Sequence, residues 1–491
     1  MKKLLCAITA LLLLFLVSGC APAGGKGPVH LVWWLMTPSE APVDWQEVED
    51  ALNAYSEEKI GVTCDFRYYD SNQIALVSQT GEYFDIAFTS DYWNDFGTSV
   101  SVGMFRDLKD DLDDYPALKA SVLENTWDSV KVGDGLYAIP HMKDIAYEVF
   151  WILDTEYFDG KGFPRKAEIS FEEIEPYLEA YKQDYPEDYP IKVSYSGLTS
   201  WQNDLADWLN MTYLIGLDWE AQGTEEQYTV KSALEIPAWQ NRLTTIHEWY
   251  QKGYINPDAA VTESMPRSQA GVVQSGQGWY GAETIWASAR QKPVYCARFD
   301  GPDLSTSSVR GALTAVSSFT PYWREALALI QLMNTDPWYR ETARYGIEGK
   351  HYIRNADGTV TKTERGNTNM AVEAYTQGHY TLGALEASSF PQVPTDKEQW
   401  TKAMKRYASA RTSVVMGFVP DISPVETECL AIRQIVEEYR RELYTGTSAP
   451  DVVIPKMLSR MKEAGLDRVV AEIQRQLDDF VHRKEATVPD Q

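Results

Sequence analysis

The sequence predicts an α/β fold in which sheets are flanked by helices and the chain divides into more than one lobe. Between residues 29 and 90, apolar β-branched runs alternate with amphipathic helical segments, an order typical of a parallel sheet with helices on its faces. After the N-terminal leader about 470 residues remain. This length exceeds what a single hydrophobic core accommodates, so two or three packed lobes are expected. Ligands of such sheets bind beyond the carboxyl ends of the strands.

The first elements are predicted in strand and helix order. The run VHLVWWLM at 29–36 is continuous and apolar, as expected for a strand buried on both faces. After Asp44, apolar residues recur at helical spacing until Gly61, which is a stop signal. The order continues with a strand at 62–69 (VTCDFRYY), a helix at 73–82 (QIALVSQTGE) and a strand at 84–90 (FDIAFTS).

The later elements are predicted from the same periodicities. Two extended runs, GLYAIP at 135–140 and EVFWILD at 148–154, bracket the segment HMKDIAY. The rest of the chain is predicted to contain helices at 170–183, 241–254, 324–334, 429–443 and 468–481, a strand, loop, helix and strand over 270–300, a strand at 311–318, and a hairpin at 351–362.

The N-terminus has the pattern of an export signal. A positively charged start precedes an apolar run at 4–17 of about 14 residues, too short to span a bilayer. The run ends in VSGC, which resembles the bacterial lipobox, so we expect residues 1–19 to be a removed signal peptide and Cys20 to carry the lipid. Residues 20–27 would be a flexible tether, and acyl chains would anchor the protein to the outer face of the cell membrane. An ordinary signal peptide cut nearby is the alternative.

Composition excludes some classes of function. The formal net charge of -26 argues against a nucleic-acid partner, because phosphate neutralisation needs clustered Lys and Arg. Beyond the leader, Cys64, Cys296 and Cys429 are far apart, so no disulfide scaffold or closely spaced zinc site is predicted. We expect these three cysteines to be buried small apolar residues.

Two motifs suggest chemistry that the sequence otherwise does not support. Gly276, Gly278 and Gly281 form a GxGxxG between a predicted strand and helix, with Asp300 further on, as in dinucleotide-binding proteins. Trp279 and Tyr280 place large side chains within that loop, so the glycines are interpreted as room for close backbone approach to another ligand. His247 and Glu248 begin an HExxH whose second histidine is missing.

Paired carboxylates leave glycoside hydrolysis open as an alternative. Asp91, Asp144 and Glu148 are the first candidates, since two acidic side chains flanking a glycosidic bond suffice for that reaction. The competing interpretation makes them hydrogen-bond acceptors or surface charges. No GxSxG and no phosphate-cradling GxxxxGK[ST] occurs in the sequence.

The aromatic content is the more informative signal. The chain has 16 Trp and 29 Tyr, and several fall where strands should end. A flat ring offers its face to the C–H face of a sugar, and neighbouring polar groups can bond the hydroxyls. Trp33 and Trp34 point to opposite sides of an extended strand, so at most one of them should face a ligand.

With these segments in order, the chain resembles a sugar-type solute-binding lipoprotein of an ABC importer. The resemblance rests on the lipobox, on GEYFDIAFTS, on GMFRDLKDDLDDYPALK and on GLYAIPHMKD. The segments MNTDPWYRETARYGIEGKHY and ELYTGTSAPDVVIPKMLSRMKEAGLDRVVAEIQRQLDDF are similar to a subgroup of Gram-positive bacteria with an added C-terminal domain.

The resemblance implies a two-lobed periplasmic-binding-protein-like fold of type II, each lobe a mostly parallel sheet flanked by helices. Lobe 1 would take residues 28–142 and 296–345, and lobe 2 would take 143–295 and 346–491 with the C-terminal helices. A solute, expected to be an oligosaccharide, would be held between the lobes and delivered to the permease subunits. The receptor would be a monomer that needs no cofactor or metal and catalyses no reaction. A peptide receptor of the same fold, a surface glycoside hydrolase and a scaffold lipoprotein are the alternatives.

The resemblance also implies a set of ligand-binding residues. They should come from the strand ends and the first crossover of lobe 1 and from the facing loops of lobe 2. The set is Trp34, Asp91, Trp93, Lys143, Asp144, Trp201, Trp279, Tyr280 and Glu348, with His351 in the same subgroup motif as Glu348.

Overall fold

The described part of the chain contains sixteen strands and sixteen α-helices, with short 3₁₀ helices between them. The computed structural model describes residues 27–36, 42–279, 282–369 and 394–487. The strands are β1 Val29–Met36, β2 Val62–Tyr69, β3 Ile86–Thr89, β4 Lys131–Val132, β5 Gly135–Leu136, β6 Ile139–Pro140, β7 Tyr147–Asp154, β8 Asp207–Asn210, β9 Ile215–Leu217, β10 Lys231–Ser232, β11 Val273–Gln277, β12 Val294–Leu304, β13 Leu313–Val316, β14 Tyr352–Arg354, β15 Val360–Lys362 and β16 Arg411–Thr412. The helices are α1 Trp45–Ile60, α2 Ser71–Thr80, α3 Phe96–Ser101, α4 Pro116–Ala120, α5 Thr155–Phe158, α6 Glu175–Asp184, α7 Pro237–Gln251, α8 Glu283–Arg290, α9 Thr306–Val309, α10 Trp323–Thr335, α11 Pro337–Tyr345, α12 Glu364–Asn369, α13 Pro394–Ala408, α14 Glu426–Tyr444, α15 Pro450–Glu463 and α16 Leu466–Thr487.

The first sheet has the strand order β2-β1-β3-β13-β6. β1 pairs in parallel with β2 and β3, whereas β13 runs antiparallel to β3 and β6. Helices α1 and α10 contribute Leu52 and Leu329 to one apolar core with Trp33 of β1. The predicted strand and helix order over the first 90 residues is confirmed. Gly61 ends α1 at φ 70°, a left-handed conformation that favours glycine.

The second sheet has the order β11-β7-β12-β16 and differs from the mostly parallel sheet that the sequence predicted. β7 pairs antiparallel with both of its neighbours, while β12 and β16 run parallel. The reason is the path of the chain. β7 carries the chain away from the junction between the sheets and β12 returns it, so neighbouring strands run in opposite directions. The three smaller sheets are β10-β9-β8, β14-β15 and β4-β5.

Two crossovers join the sheets side by side. The first runs from β6 to the start of β7 at Tyr147, and the second leaves the end of β12 at Asp303, which lies opposite Tyr147. The sequence boundary at residue 296 therefore gave part of β12 to the wrong lobe, because the strand stays bonded to β7 until Asp303. The sequence pattern does not mark where the chain leaves one lobe for the other, because the strand continues up to that point.

The C-terminal helices α14 to α16 complete the core of the second lobe. Cys429, Met457 and Leu477 are buried in one cluster with Trp151 of β7. The hairpin β14–β15, which the sequence predicted, instead contacts the first lobe, because the Nε2 atom of His351 lies 3.0 Å from the Oδ2 atom of Asp44. The predicted range 346–491 for lobe 2 is therefore wrong for this hairpin.

The helix α13 lies at the junction between the two lobes. Its Tyr407 is buried in the core of the first lobe, and its Trp400 is buried against Phe150 and Trp286 of the second. The segment that follows α13 enters the second sheet as β16. Helix α13 and the segment after it therefore form a third connection between the lobes, besides the two crossovers.

Cysteine burial and membrane topology can be stated for the described residues. Cys64, Cys296 and Cys429 are free and buried, as predicted. None of the helices in the described ranges is long and apolar enough to cross a bilayer. The signal peptide, Cys20 and most of the tether lie outside the described residues, so the lipid anchor stays a prediction.

Candidate functional site

Polar and aromatic side chains from three segments meet at the junction of the lobes. The segments are the turn after β3, the first crossover with the start of β7, and the second crossover at α9. The backbone N–H of Asp91 donates to the carbonyl of Arg310 at 3.1 Å. The carboxylate oxygen Oδ1 of Asp91 lies 4.0 Å from Nη1 of Arg310. The carboxyl ends of β3 and β12 thus converge at the edge where ligands of α/β sheets bind.

Arg310 is a fixed and buried cation. Only 2% of the residue is exposed. Its Nε donates to the carbonyl of Ser129 at 2.5 Å, and its guanidinium carbon lies 4.8 Å from the centre of the Phe96 ring. These contacts come from separate parts of the chain, so the guanidinium is held in one position before any ligand arrives.

The carboxyl group of Asp91 sits in an unusual electrostatic setting. Burial raises its pKa from the ordinary 3.8 to about 6, Arg310 opposes that rise, and Asp95 adds to it. The side chain still exposes 24% of its surface. Asp91 therefore combines a poorly solvated carboxylate with access to a ligand, and it is suited to accept hydrogen bonds from hydroxyl groups.

The turn after β3 presents two aromatic residues in a defined way. The hydroxyl of Ser90 accepts hydrogen bonds from the backbone N–H groups of Tyr92 and Trp93, at 3.1 and 2.9 Å. Asn94 follows at φ 51° and donates to the carbonyl of Phe88 at 2.9 Å. The left-handed residue and the serine close the turn, so the two rings are positioned by the backbone.

The two rings of this turn differ in exposure. Tyr92 is 67% exposed. Its hydroxyl neighbours that of Tyr147, which also neighbours Ser307 on the second crossover. Trp93 is half-buried against Met36, Phe88 and Ala312. One wall of the junction thus carries the half-buried ring of Trp93 together with the hydroxyl groups of Tyr92, Tyr147 and Ser307.

Lys143 and Asp144 lie on the first crossover, where the sequence placed them. The Nζ of Lys143 is 3.3 Å from Oδ1 of Asp144, and the lysine is 5% exposed. A Cβ added at Gly311 would come within 3.7 Å of that Nζ, so the ammonium group lies against the second crossover. Asp91, Trp93, Lys143 and Asp144 therefore all lie on segments at the junction.

Trp34 is a correction to the predicted site. It has no exposed surface, and its ring packs 4.4 Å from that of Phe84, centre to centre. β1 is an inner strand of a sheet covered on both faces, so both Trp33 and Trp34 belong to the core. The alternation along the strand correctly predicted that the Trp33 and Trp34 side chains point to opposite faces of the sheet. Both faces, however, are covered by apolar side chains.

Two further tryptophans are less accessible than predicted. Trp279 is 8% exposed, with its ring 5.4 Å from that of Trp400 in an edge-to-face arrangement. Trp201 is 2% exposed and packs between Trp239 and Tyr444. Trp201 also forms part of the wall of a cavity of about 480 Å³ in the second lobe. Neither ring lies open as a stacking platform.

The remaining predicted residues lie elsewhere. Glu348 is exposed and lies 3.8 Å from Arg354, on the hairpin side of the first lobe. His351 is fully buried, and its Nδ1 accepts a hydrogen bond from the backbone N–H of Ile347 at 2.8 Å. His351 is therefore a structural residue. Tyr280 lies outside the described residues.

The glycine motif has a packing explanation. A Cβ added at Gly278 would lie 2.6 Å from Cζ2 of Trp286, and one added at Gly276 would lie 3.2 Å from Ile152. The glycines allow α8 to pack closely on β11, so the pattern does not require a dinucleotide. Gly281 lies outside the described residues.

The structure also accounts for the residues that suggested zinc chemistry and glycoside hydrolysis. His247 contacts the carbonyl of Gly446 through its Nδ1 at 2.6 Å. No group of His, Cys, Asp and Glu side chains within the described ranges could hold a metal ion. Glu148 is fully buried between Arg298 and Arg406, which removes it from contact with any substrate.

Sequence reasoning missed Arg310, Ser307 and Tyr147. Arg310 and Ser307 sit in a short polar stretch, and Tyr147 begins an apolar strand, so no local pattern separates them from ordinary surface or core residues. A signal could have come from position alone, because all three flank the points where the chain crosses between lobes.

The geometry defines a two-lobed α/β fold with a polar and aromatic junction, and known proteins have a similar sequence or fold. A carbohydrate ABC transporter substrate-binding protein of Streptococcus pneumoniae is 23% identical over 94% of this chain and 93% of its own length. The N-glycan transport solute-binding protein NgtS of Streptococcus pneumoniae has a TM-score of 0.79 at 20% identity, covering 93% of this chain and 100% of that one. Its complex with Man5GlcNAc gives a TM-score of 0.65 at 21% identity, covering 93% and 99%.

The C-terminal part also matches a known domain. Residues 414–482 match a domain of unknown function, DUF3502. The chain has the type II solute-binding-protein fold, as predicted. The resemblance to solute-binding proteins of ABC importers that carry an added C-terminal domain is confirmed.

Proposed function

We propose that this protein is an extracellular receptor that captures an oligosaccharide between its two lobes and delivers it to an ABC importer. The observation that carries the proposal is the convergence of Asp91, Trp93, Tyr147 and Arg310 at the junction, from segments far apart in the chain. The relatives named above as carbohydrate-binding and N-glycan-binding proteins support the choice of ligand class.

Closure of the lobes around the ligand is part of this proposal. Asp91 and Trp93 belong to the first lobe, Tyr147 begins the second sheet, and Arg310 lies on the crossover between them. A ligand shifts the equilibrium toward a closed state only if it makes more contact in that state than in the open one. A sugar that contacts both lobes does so, and the closed form would be the signal for the permease.

The receptor is proposed to be a binding protein without catalytic activity. Glu148 is held between two guanidinium groups, and Asp144 is next to Lys143. Glycoside hydrolysis needs two carboxyl groups flanking the bond, and with these two engaged by cations the accessible Asp91 would lack a second carboxylate. Anchoring through acylated Cys20 and action as a monomer complete the proposal.

Thermal unfolding tests the proposed function. Thermal unfolding of residues 26–491 would be recorded in the presence of each oligosaccharide of a panel, with peptides as controls. A bound glycan at 100 times its dissociation constant stabilises the fold by about 2.7 kcal/mol. Stabilisation by one glycan class with no product on chromatography is expected. Glycan cleavage would favour the hydrolase, and stabilisation by peptides alone would favour the peptide receptor.

Replacing Trp93 by alanine is expected to weaken sugar binding by about 1 to 3 kcal/mol, the value of burying one aromatic side chain. Calorimetric titration would measure it. Alanine at Phe319, which is 73% exposed on the first lobe, is the control and should leave the affinity unchanged. Equal affinity in the wild type and the Trp93→Ala variant would remove this ring from the site.

Sugar binding is expected to weaken as the pH falls through about 6, where Asp91 takes up a proton. Protonation gives one carboxylate oxygen a donor hydrogen and removes the negative charge, so the association constant should fall up to tenfold per pH unit below this value. Asp91→Asn should bind more weakly at pH 7.5 and show a flat profile between pH 4.5 and 7.5. A variant that keeps the wild-type profile would assign the titration to another group.

The same pKa shift acts on stability with the opposite sign. The folded carboxyl binds its proton more tightly than the unfolded one, whose pKa is near 3.8. Asp91 therefore favours the fold at low pH, and this contribution is lost as the pH rises from about 4 to about 6. Stability and affinity should respond in opposite directions within that window.

A further inference from the structure

The second lobe contains a cavity that the junction site does not use. Its volume is about 480 Å³, within the range of small-molecule sites. The walls come from the loop 192–203, the segment 265–270, the edge strand β11, and Arg440 and Tyr444 of α14. Because α14 belongs to the matched C-terminal region, that region contributes directly to a cavity wall.

The charge of this cavity is opposite to that of the chain. Lys192, Arg267 and Arg440 line it, and the described lining residues include no Asp or Glu. The chain as a whole has a formal charge of -26. A concave surface lined by one sign of charge focuses the field and attracts ligands of the other sign.

The pairing of the three cations differs. Lys192 lies 2.7 Å from Asp188, and Arg440 lies 3.0 Å from Glu437, so each has a carboxylate outside the cavity wall. Among the described residues, no carboxylate oxygen lies within 4.0 Å of the Arg267 guanidinium. It is therefore the cation with the greatest remaining capacity for an anion.

A second guanidinium bonds to Gly271, next to Ala270 of the cavity lining. Arg290 is 4% exposed, and its Nη2 lies 3.1 Å from the carbonyl of Gly271 and 3.4 Å from Asp154. Its Nε and Nη1 are buried with no hydrogen-bond partner in the described residues. Burial lowers the pKa of Arg290, Asp154 opposes that change, and Arg267 adds to it. The charges of Arg267 and Arg290 therefore repel each other, while Asp154 offsets part of that repulsion.

The cavity is also lined by groups that suit sugar hydroxyls. Ser200 and Gln202 line it, and the Oε1 of Gln202 is buried without a hydrogen-bond partner among the described residues. Asn203, also in the lining, donates to Gln277 at 3.4 Å, at the end of β11. The lining therefore offers neutral acceptors and donors beside its cations.

The cavity lies within reach of the junction site. Ser275 in its wall pairs with Trp151, four residues along β7 from Tyr147, which is about 13 Å in a strand. An oligosaccharide of a few sugar units is long enough to span that distance.

We propose that this cavity binds a negatively charged residue of an acidic oligosaccharide whose remaining sugars occupy the junction between the lobes. The proposal rests on the proposed function and adds the substrate class. Arg267 would pair with the anionic group through its planar guanidinium, and Arg440 and Lys192 would offer further N–H donors. The anionic group is a carboxylate, as in a uronic acid, or a sulfate ester.

Titration calorimetry with matched pairs of oligosaccharides tests the proposal. Each pair shares one neutral sugar backbone, and the second member carries a terminal glucuronic acid in one series and a terminal 6-O-sulfate in the other. The acidic member should bind at least tenfold more tightly at 50 mM salt, and that advantage should shrink at 500 mM salt. The two series distinguish the carboxylate from the sulfate.

Variants locate the effect. Arg267→Gln and Arg440→Gln should each weaken binding of the acidic member by a larger factor than binding of the neutral member. Arg433→Gln, on the exposed face of the same helix α14, is the matched control and should behave as the wild type. Thermal unfolding of each variant confirms folding, and Arg267→Lys, which keeps the charge, should retain part of the advantage.

The outcomes separate the two proposals. Equal affinity for both members of every pair would overturn the acidic-ligand proposal and leave the proposed function standing. An acidic preference that survives both Arg variants would overturn its placement in this cavity. Absence of binding by all neutral and acidic members would count against the proposed function itself.

Discussion

Replacing Trp34 by alanine is expected to lower the free energy of unfolding by about 3 to 5 kcal/mol, the usual result of removing a large aromatic side chain from a core. The ring has no exposed surface and packs against Phe84 and Tyr69. Its removal leaves a void between the sheet and its helices that the surroundings fill incompletely. Urea unfolding followed by circular dichroism would measure the loss.

Binding measurements on the same variant separate core from site. Because Trp34 does not reach the junction surface, the folded variant should bind sugar as the wild type does, in contrast to Trp93→Ala. Phe319→Ala should change stability by less than about 0.5 kcal/mol, as an exposed position does. A stable Trp34→Ala variant with lost affinity would restore Trp34 to the site.

Replacing Glu148 by glutamine is expected to lower the free energy of unfolding by about 3 kcal/mol, because it removes the buried negative charge that holds two guanidinium groups together. The carboxylate has no exposed surface and lies 3.3 Å from Arg298 and 3.0 Å from Arg406. Arg406 belongs to α13 and Arg298 to β12, so this carboxylate joins the second sheet to the junction helix. The melting temperature and urea midpoint should both fall.

A matched substitution tests the role of burial. Glu168 pairs with the same Arg298 but exposes 63% of its side chain. Glu168→Gln is expected to cost less than about 1 kcal/mol, since an exposed ion pair contributes little. Equal losses in the two variants would mean that burial of Glu148 does not determine its contribution.

The local pattern of the sequence was sufficient for most elements. The continuous apolar run of β1, the helical spacing that ends at Gly61 and the hairpin at 352–362 all depend on residues close together in the chain. Backbone hydrogen bonding and the burial of one face impose those periods directly. The same holds for the buried cysteines, whose spacing excluded a scaffold of disulfides.

The direction of the strands in the second sheet needed tertiary information. Apolar runs look the same in parallel and antiparallel pairs when both faces are buried. The sequence predicted a mostly parallel sheet for each lobe, yet β7 pairs antiparallel with β11 and β12. Pairing depends on which strand carries the chain across the junction, and no local pattern encodes that path.

The sequence by itself determined the α/β class, the order of the elements and the segments that reach the junction, including Asp91, Trp93 and Lys143. Only the tertiary structure decided which aromatic rings are open and which charges meet. Glu148 finds its two arginines 150 and 258 positions away, and Trp279 is covered by Trp400 from α13. Exposure and charge pairing depend on what packs across from a residue, and that partner is set by the fold of the whole chain.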